Sequence, residues 1–586
     1  MNKQWDLSIL YSGFDTPEFA ADMASFDAAI AEVVAFSQTL DALSPSELLL
    51  GYISLETKVS SLAEKLFIYA NLRYSANTAD TEAASTMGVL MAKLSAIAAP
   101  SAMTNKAIAK IENIEEIIEQ NDVLKEHSYR ILNIVKNSKH LLSDAEESLF
   151  AEMDISGATA WSDLQSNLTS SLKVDYKGDT ITLSSVRNMA YDPDPEVRRA
   201  AFEAELAAYP KIETATAFAL NSIKLQVINE AARRGYTSPL AKALDNSAMK
   251  QETLDALLAA MNEYMPTFRK YLKAKAKALG HEGGLPWYDL FAPMGKSDKK
   301  YTTEEARDYL LNIFGKFDSE LHDMVKEAFD NSWIDFFPRE GKVGGAFDCA
   351  VHSAGQSRVL TNFDGSFSDI VTLAHELGHS FHDRQVYKNS PLNREYSMPV
   401  AETASTFNEV LVMNTAISEC QDREVKLALI ESQLMDAAQI IVDIYSRYLF
   451  ETSVFENRPQ EFLSPERMCE LMLDAQKQAY GDGLDENCMH PYMWLCKGHY
   501  YSGGLSFYNY PYAFGGLFAR GIYAKYLEEG KPFVETYKNM LRATGTSTVE
   551  DAAKVCGIDL TDVNFWRAGL ASIAEQINEF CELVNY

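Results

Sequence analysis

Residues 366–382 constrain this chain more than any other stretch. They read Ser-Phe-Ser-Asp-Ile-Val-Thr-Leu-Ala-His-Glu-Leu-Gly-His-Ser-Phe-His. Ser366 and Asp369 have the spacing of a capping box, which predicts a helix start. Ile370, Leu373, Ala374, Leu377 and Phe381 recur every three or four residues, so the helix carries one apolar stripe and is predicted to be buried. A buried helix cannot keep imidazoles and a carboxylate without partners, because removing polar groups from water is costly unless they are paired. His375 and His379 stand one turn apart on one face, so both rings can reach a single metal ion. Glu376 lies about 100° around the axis, beside the open metal position, where a general base takes a proton from a zinc-bound water. With ten histidines in 586 residues, this H-E-x-x-H pattern arises by chance on the order of once in a hundred such chains.

Gly378 sits inside the same helix at a cost of about 1 kcal/mol relative to alanine. It predicts the close approach of another backbone, either a strand or a substrate. A catalytic zinc wants three protein ligands and one open position. His382 is seven residues beyond His375, about 10.5 Å of helical rise, too far to share one ion, and is read as a supporting or core residue. The pattern H-E-x-x-H-x-x-G-x-x-H also fails, because positions 382 and 385 hold His and Gln. The third ligand must come from elsewhere. Ser397-Met-Pro399 begins another helix by cap and proline chemistry. Its first turn carries Glu402, and Glu409 follows two turns later. A helix running antiparallel to the first brings Glu402 against the two histidines and makes Glu409 the acceptor that orients a ligand imidazole.

Charge narrows the remaining classes. Aspartate and glutamate number 83 against 53 lysines and arginines, a formal charge of −30. Such a chain is repelled by a phosphate backbone and by an anionic membrane surface, so neither nucleic acid nor membrane is an expected partner. No run reaches the roughly 18 uninterrupted apolar residues of a membrane span, and the opening residues carry no apolar signal core. Seven cysteines, an odd number without a C-x-x-C pair, point to a reducing compartment and a cytoplasmic location.

The rest of the chain reads as mostly helix. Apolar periodicity predicts helices at 19–43, 46–73, 81–94, 105–119, 122–138 and 143–153, then at 197–208 and 212–234. A β-hairpin is predicted at 172–183 around Lys177-Gly178-Asp179. Asp192-Pro-Asp-Pro-Glu196 is a break followed by a helix start, which places a boundary near residue 190. An N-terminal helical lobe, 1–190, is expected to act as a lid over a catalytic domain, 191–586. Thr302-x-x-Glu305 is a second capping box. Residues 344–363 are β-like, with the best strand at 357–363. A last cluster, His499 to Gly516, is dense in tyrosine and glycine. Aromatic stripes are usually core. Beside a metal, however, glycines give a mobile loop, and Tyr and His supply donors to an oxyanion.

Taken together, these features resemble the oligoendopeptidase F family of zinc metallopeptidases, kin of thimet oligopeptidase, over essentially the whole chain. The resemblance rests on Trp5-Asp-Leu-x-x-Leu-Tyr11, Trp287-Tyr-Asp-Leu-Phe-Ala-Pro293, His375-Glu-Leu-Gly-His-Ser-Phe-His382, Pro399-Val-Ala-Glu402 and Phe507-Tyr-Asn-Tyr-Pro-Tyr-Ala-Phe-Gly515. It implies a mostly α, two-lobed helical metallopeptidase with a small β-sheet beside the zinc helix and a deep substrate channel that admits short unstructured peptides. It further implies one zinc ion on His375, His379 and Glu402, with Glu376 as base. His499 and Tyr512 are implied to assist the oxyanion, with Tyr508 and Tyr510 near the substrate. The Gly503-Gly504-Leu505 insertion leaves open which tyrosine faces the metal.

The expected function is hydrolysis of peptide bonds within oligopeptides. A zinc carboxypeptidase or dipeptidyl carboxypeptidase is the alternative, distinguished by whether an amidated C-terminus blocks cleavage. A non-catalytic helical zinc-binding protein is a third reading, which the intact Glu376 opposes. Sequence leaves the oligomeric state open.

Overall fold

Helices begin where capping chemistry puts them. The computed structural model describes residues 2–296 and 299–586. Thr16 accepts from the Phe19 N–H to open Pro17–Ser37, and Ser44 with Glu47 forms a capping box for Pro45–Ala76. Asp194 caps Pro195–Ala208, and Thr302 with Glu305 caps Thr303–Phe317. The first helix stops at Ser37, short of the predicted 43. The predicted helix at 105–119 is two pieces, Ala98–Ala109 and Ile114–Ile118. Its break lets Ile108, Ile114 and Ile118 enter one apolar cluster with Leu48, Leu49 and Tyr52. One continuous helix would rotate these isoleucines onto different faces.

The segment Thr81–Ala109 is long and apolar enough to cross a membrane by length and composition, and only 6% of its most apolar window is buried. It is divided into Thr81–Ser95 and Ala98–Ala109, each shorter than the roughly 20 residues a span needs.

The chain forms two compact units, each assembled from three segments. One comprises Met1–Lys139, Asp298–Val412 and Tyr526–Ile558. The other comprises His140–Ser297, Met413–Lys525 and Asp559–Tyr586. This differs from a cut near residue 190 into lid and catalytic domain. The physical reason lies in the core of the first unit. Trp5, Tyr11, Phe19 and Tyr69 share one apolar cluster with Val351 and Leu360 of the central sheet, and the Trp5 and Phe347 rings are 6.2 Å apart. The N-terminal helices bury their apolar faces against the sheet and so belong to the same body as the H-E-x-x-H helix.

That sheet has three strands in the order β3-β5-β4: β3 (Ile334–Asp335), β4 (Phe347–Val351) and β5 (Gln356–Leu360). β3 runs parallel to β5. β4 is antiparallel to it, with Phe347 opposite Leu360 and Val351 opposite Gln356. The hairpin between β4 and β5 closes through Gly355 at φ 62°, a conformation that costs glycine little. In the second unit, the predicted hairpin forms as β1 (Lys173–Tyr176) and β2 (Asp179–Thr182), turning through Lys177 and Gly178, both at positive φ.

Candidate metal centre

The predicted helix forms at Phe367–Val386, opened by the reciprocal Ser366–Asp369 capping box. Its stripe of Ile370, Leu373, Ala374 and Leu377 is completely buried. The second segment differs in detail from expectation. Met398–Ala401 is one short turn, Glu402 sits at the break (φ −85°, ψ 7°), and Thr403–Glu419 is the helix proper. Ser405 fills the break, its hydroxyl donating to Glu402 Oε2 at 2.9 Å and to the Glu402 carbonyl at 3.0 Å.

Gly378 explains how the two segments meet. A Cβ at this position would lie 2.5 Å from both the Ala404 carbonyl oxygen and Ser405 Cα. The approaching backbone is thus the segment that carries Glu402, rather than a strand or a substrate. Asn408 fastens the contact further on, donating from Nδ2 to the Ala374 carbonyl at 3.1 Å.

This approach brings three donor atoms together. His375 Nε2 and His379 Nε2 are 3.2 Å apart, and Glu402 Oε2 is 3.3 Å from the first and 3.4 Å from the second. Ligands at 2.0–2.1 Å from a tetrahedral zinc stand about 3.3 Å from one another. The triangle therefore has the size of one tetrahedral face, and two imidazoles with one carboxylate are a zinc-type donor set. Glu376 also offers an oxygen within 4.8 Å of the two histidine nitrogens. Its surroundings suit a base better than a ligand, because it is buried and its carboxylate accepts a hydrogen bond from the Asp348 backbone N–H. Burial raises its pKa above the ordinary glutamate value.

The electrostatics call for a cation. Burial alone would lower the pKa of His375, but the Glu402 and Glu409 carboxylates overcome it and hold the imidazole at about 10. Burial would raise the pKa of Glu402, and the two histidines instead hold it far below the usual range. Glu409 accepts a hydrogen bond from His375 Nδ1, as its spacing predicts, which leaves Nε2 to face the triangle.

His382 is a core residue. It is fully buried and stacked on Tyr396 at 4.1 Å between centroids, and Nε2 lies 2.9 Å from Thr544 Oγ1. Burial lowers its pKa to about 3. Sequence reasoning missed a half-buried carboxyl pair beneath the site. Asp348 and Asp383 are hydrogen-bonded to each other, and burial raises both pKa values. Ser380 donates to Asp348 Oδ1 at 2.6 Å, and Tyr396 donates to Asp383 Oδ1 at 3.0 Å. Asp383 was findable as the residue one turn beyond His379. Asp348 was not, because β4 delivers it from a distant part of the sequence.

The aromatic residues belong to the second unit. His499, Tyr508 and Tyr512 form a mutual cluster, with centroids 5.1 Å, 6.1 Å and 5.5 Å apart. Tyr510 departs from its expected place near the substrate. It is 1% exposed, and its hydroxyl is 3.0 Å from Ser247 Oγ, because the start of the Tyr510–Glu529 helix turns this ring into the core. The preceding loop is pinned by Glu451, which accepts from the Phe507 N–H at 3.1 Å and from Asn509 Nδ2 at 2.9 Å and pairs with buried Lys224 at 2.6 Å.

Comparison with known proteins places the chain in a family. Residues 188–572 match peptidase family M3 and residues 109–173 match the oligopeptidase F family. The second match ends at residue 173 and the first begins at residue 188, shortly before the break at residues 192–196, although the compact units divide elsewhere. Oligopeptidase PepF of Bacillus subtilis is 27% identical over 91% of this chain and 80% of its own length. A crystal structure from Chlamydophila abortus aligns with a TM-score of 0.85 at 21% identity, covering 99% of this chain and 98% of that one. Oligoendopeptidase-F from Enterococcus faecium aligns with a TM-score of 0.72 at 19% identity, covering 97% and 99%. At these identities the two superpositions establish the fold.

Proposed function

The chain belongs to peptidase family M3 and is a metallopeptidase, and from that premise we propose that it cuts internal peptide bonds of short, unstructured oligopeptides at the His375–His379–Glu402 triangle. The observation that carries this reading is the triangle itself, with edges of 3.2, 3.3 and 3.4 Å and a buried carboxylate beside it. A zinc ion held there supplies a Lewis acid that polarises a carbonyl and lowers the pKa of water.

The remaining work falls to the chain's own side chains. The Glu376 carboxylate takes a proton from the attacking water as its oxygen bonds to the scissile carbonyl carbon. It then returns that proton to the leaving amine nitrogen as the C–N bond breaks. Glu409 holds the His375 ring and its tautomer, and Ser405 holds the Glu402 carboxylate. Tyr512, supported by His499, donates a hydrogen bond to the developing oxyanion, and Tyr508 contacts the substrate. Seven free cysteines support a reducing, cytoplasmic setting.

The test is a mixed library of short peptides with blocked termini, cut sites being mapped by mass spectrometry. Internal cuts that tolerate a C-terminal amide are expected, together with one zinc per chain by elemental analysis. Glu376→Gln should retain the metal and lose nearly all turnover. A requirement for a free C-terminus would replace the endopeptidase reading with a carboxypeptidase one, and rapid digestion of denatured casein would remove the restriction to short peptides.

A further inference from the structure

The second compact unit contains a cavity of about 300 Å³ far from the metal ligands in sequence, lined by residues of 186–205, 287–291, 439, 490 and 497. Its walls are aromatic. Tyr191 pairs with Phe291 at 4.9 Å, and Phe202 with Tyr288 at 6.1 Å. Its charged groups do not balance. Glu205 pairs with Arg187 Nη1 at 2.6 Å, and the same oxygen, Oε1, also accepts from the Tyr209 hydroxyl at 2.6 Å, with His490 Nε2 at 3.2 Å. Arg198 is paired with buried Asp289 at 2.8 Å.

Lys497 lines the same cavity and, among the described residues, has no carboxylate partner and no hydrogen bond from its ammonium. Arg447 and Arg187 add to the positive field around it, which Asp443, bound to Arg447, offsets in part. Among the described residues, the hydrogen bonds of the Arg187 side chain leave from Nη1, so the rest of its guanidinium is available. A half-buried ammonium with no carboxylate in contact is costly, and a protein that keeps one at the edge of an aromatic cavity has a place for an anion.

We propose that this cavity binds a monocarboxylate bearing an aromatic ring, its carboxylate on Lys497 and the free edge of Arg187, its ring between the Tyr191–Phe291 and Phe202–Tyr288 pairs. One surplus charge fits one carboxylate. The volume lies at the small end of ligand sites and fits a molecule the size of one aromatic residue. Because Arg187 already pairs with the Glu205 charge, the ligand needs no ammonium group. Two sources share this chemistry, a free aromatic acid and the C-terminal residue of a peptide.

The proposal is independent of the metal centre and is tested apart from it. Full-length protein is titrated with 3-phenylpropionate, N-acetylphenylalanine and phenethylamine by calorimetry and by the fluorescence of Trp287, which lines the cavity. Titrations are run with metal and after chelation. Saturable one-to-one binding of the two acids, unchanged by chelation, is expected, with none for the amine. Lys497→Gln should raise Kd about tenfold, the worth of one charge-assisted hydrogen bond. Tyr191→Ala, at a half-exposed ring whose loss leaves the fold intact, should also weaken binding. Tighter binding of N-acetylphenylalanine assigns the site to peptide termini, and tighter binding of 3-phenylpropionate assigns it to free acids. Absence of binding, binding abolished by chelation, equal binding of the amine, or an unchanged Kd in Lys497→Gln overturns the proposal.

Discussion

Gly378→Ala separates two accounts of the same glycine by the sign of its effect. In an unencumbered helix the added methyl stabilises by about 1 kcal/mol. Here it would stand 2.5 Å from the Ala404 carbonyl oxygen and from Ser405 Cα, against 3.4 Å for an ordinary contact. The difference, 3.4 − 2.5 = 0.9 Å, must come from backbone on one side or the other, since neither obstructing atom is the end of a flexible side chain. Overpacking of this kind costs roughly 1–3 kcal/mol, which exceeds the propensity gain or cancels it. The movement also falls on the residues that follow Glu402. Pushing them away lengthens the 3.3 and 3.4 Å edges from Glu402 Oε2 to the two histidines, and a triangle wider than a tetrahedral face holds zinc poorly. Calorimetric Tm and zinc affinity by chelator competition are the measurements. The variant is expected to melt no higher than the wild type and to bind zinc more weakly. A variant that melts higher and keeps full zinc affinity would refute the close-approach argument.

Three further outcomes follow from particular contacts. Glu409→Gln removes the carboxylate that orients His375 and should weaken zinc binding about 10- to 100-fold, read by the same competition, while an unchanged affinity would remove Glu409 from the site. Burial raises the pKa values of Asp348 and Asp383 in the folded chain. The stability contributed by their bound proton is therefore present below the unfolded value of about 3.9 and lost as pH rises through the higher folded values. Asp348→Asn keeps a hydrogen-bonding partner without the charge, so Tm should fall less steeply with rising pH than in the wild type, and parallel profiles would contradict the shared-proton reading. Tyr512→Phe should lower kcat by about 10²–10³ with KM and Tm nearly unchanged. A silent Tyr512→Phe beside a crippled Tyr508→Phe would move the donor to Tyr508.

The sequence by itself determined the parts whose physics is local. The Ser366–Asp369 cap, the apolar stripe and the i, i+4 histidines are all consequences of helical periodicity, and each appears where the spacing puts it. Glu402 and Glu409 were legible as well, because Ser397 and Pro399 mark a helix start shortly before them, although the break at Glu402 was not. Gly378 announced a close approach but not its partner.

Only the tertiary structure decided what depends on contacts between distant segments. β4 delivers Asp348 beneath Glu376, and no periodicity links residue 348 to residue 383. The N-terminal helices read as a separate lid because they carry no chemistry. Yet Trp5, Tyr11, Phe19 and Tyr69 share a core with Val351 and Leu360, and burying apolar surface is indifferent to separation along the chain. Tyr510 lies in the same tyrosine-rich run as Tyr508 and Tyr512, but the turn into the Tyr510–Glu529 helix sends its ring into the core toward Ser247. Local spacing fixes which side chains share a face, and long-range packing fixes what that face meets.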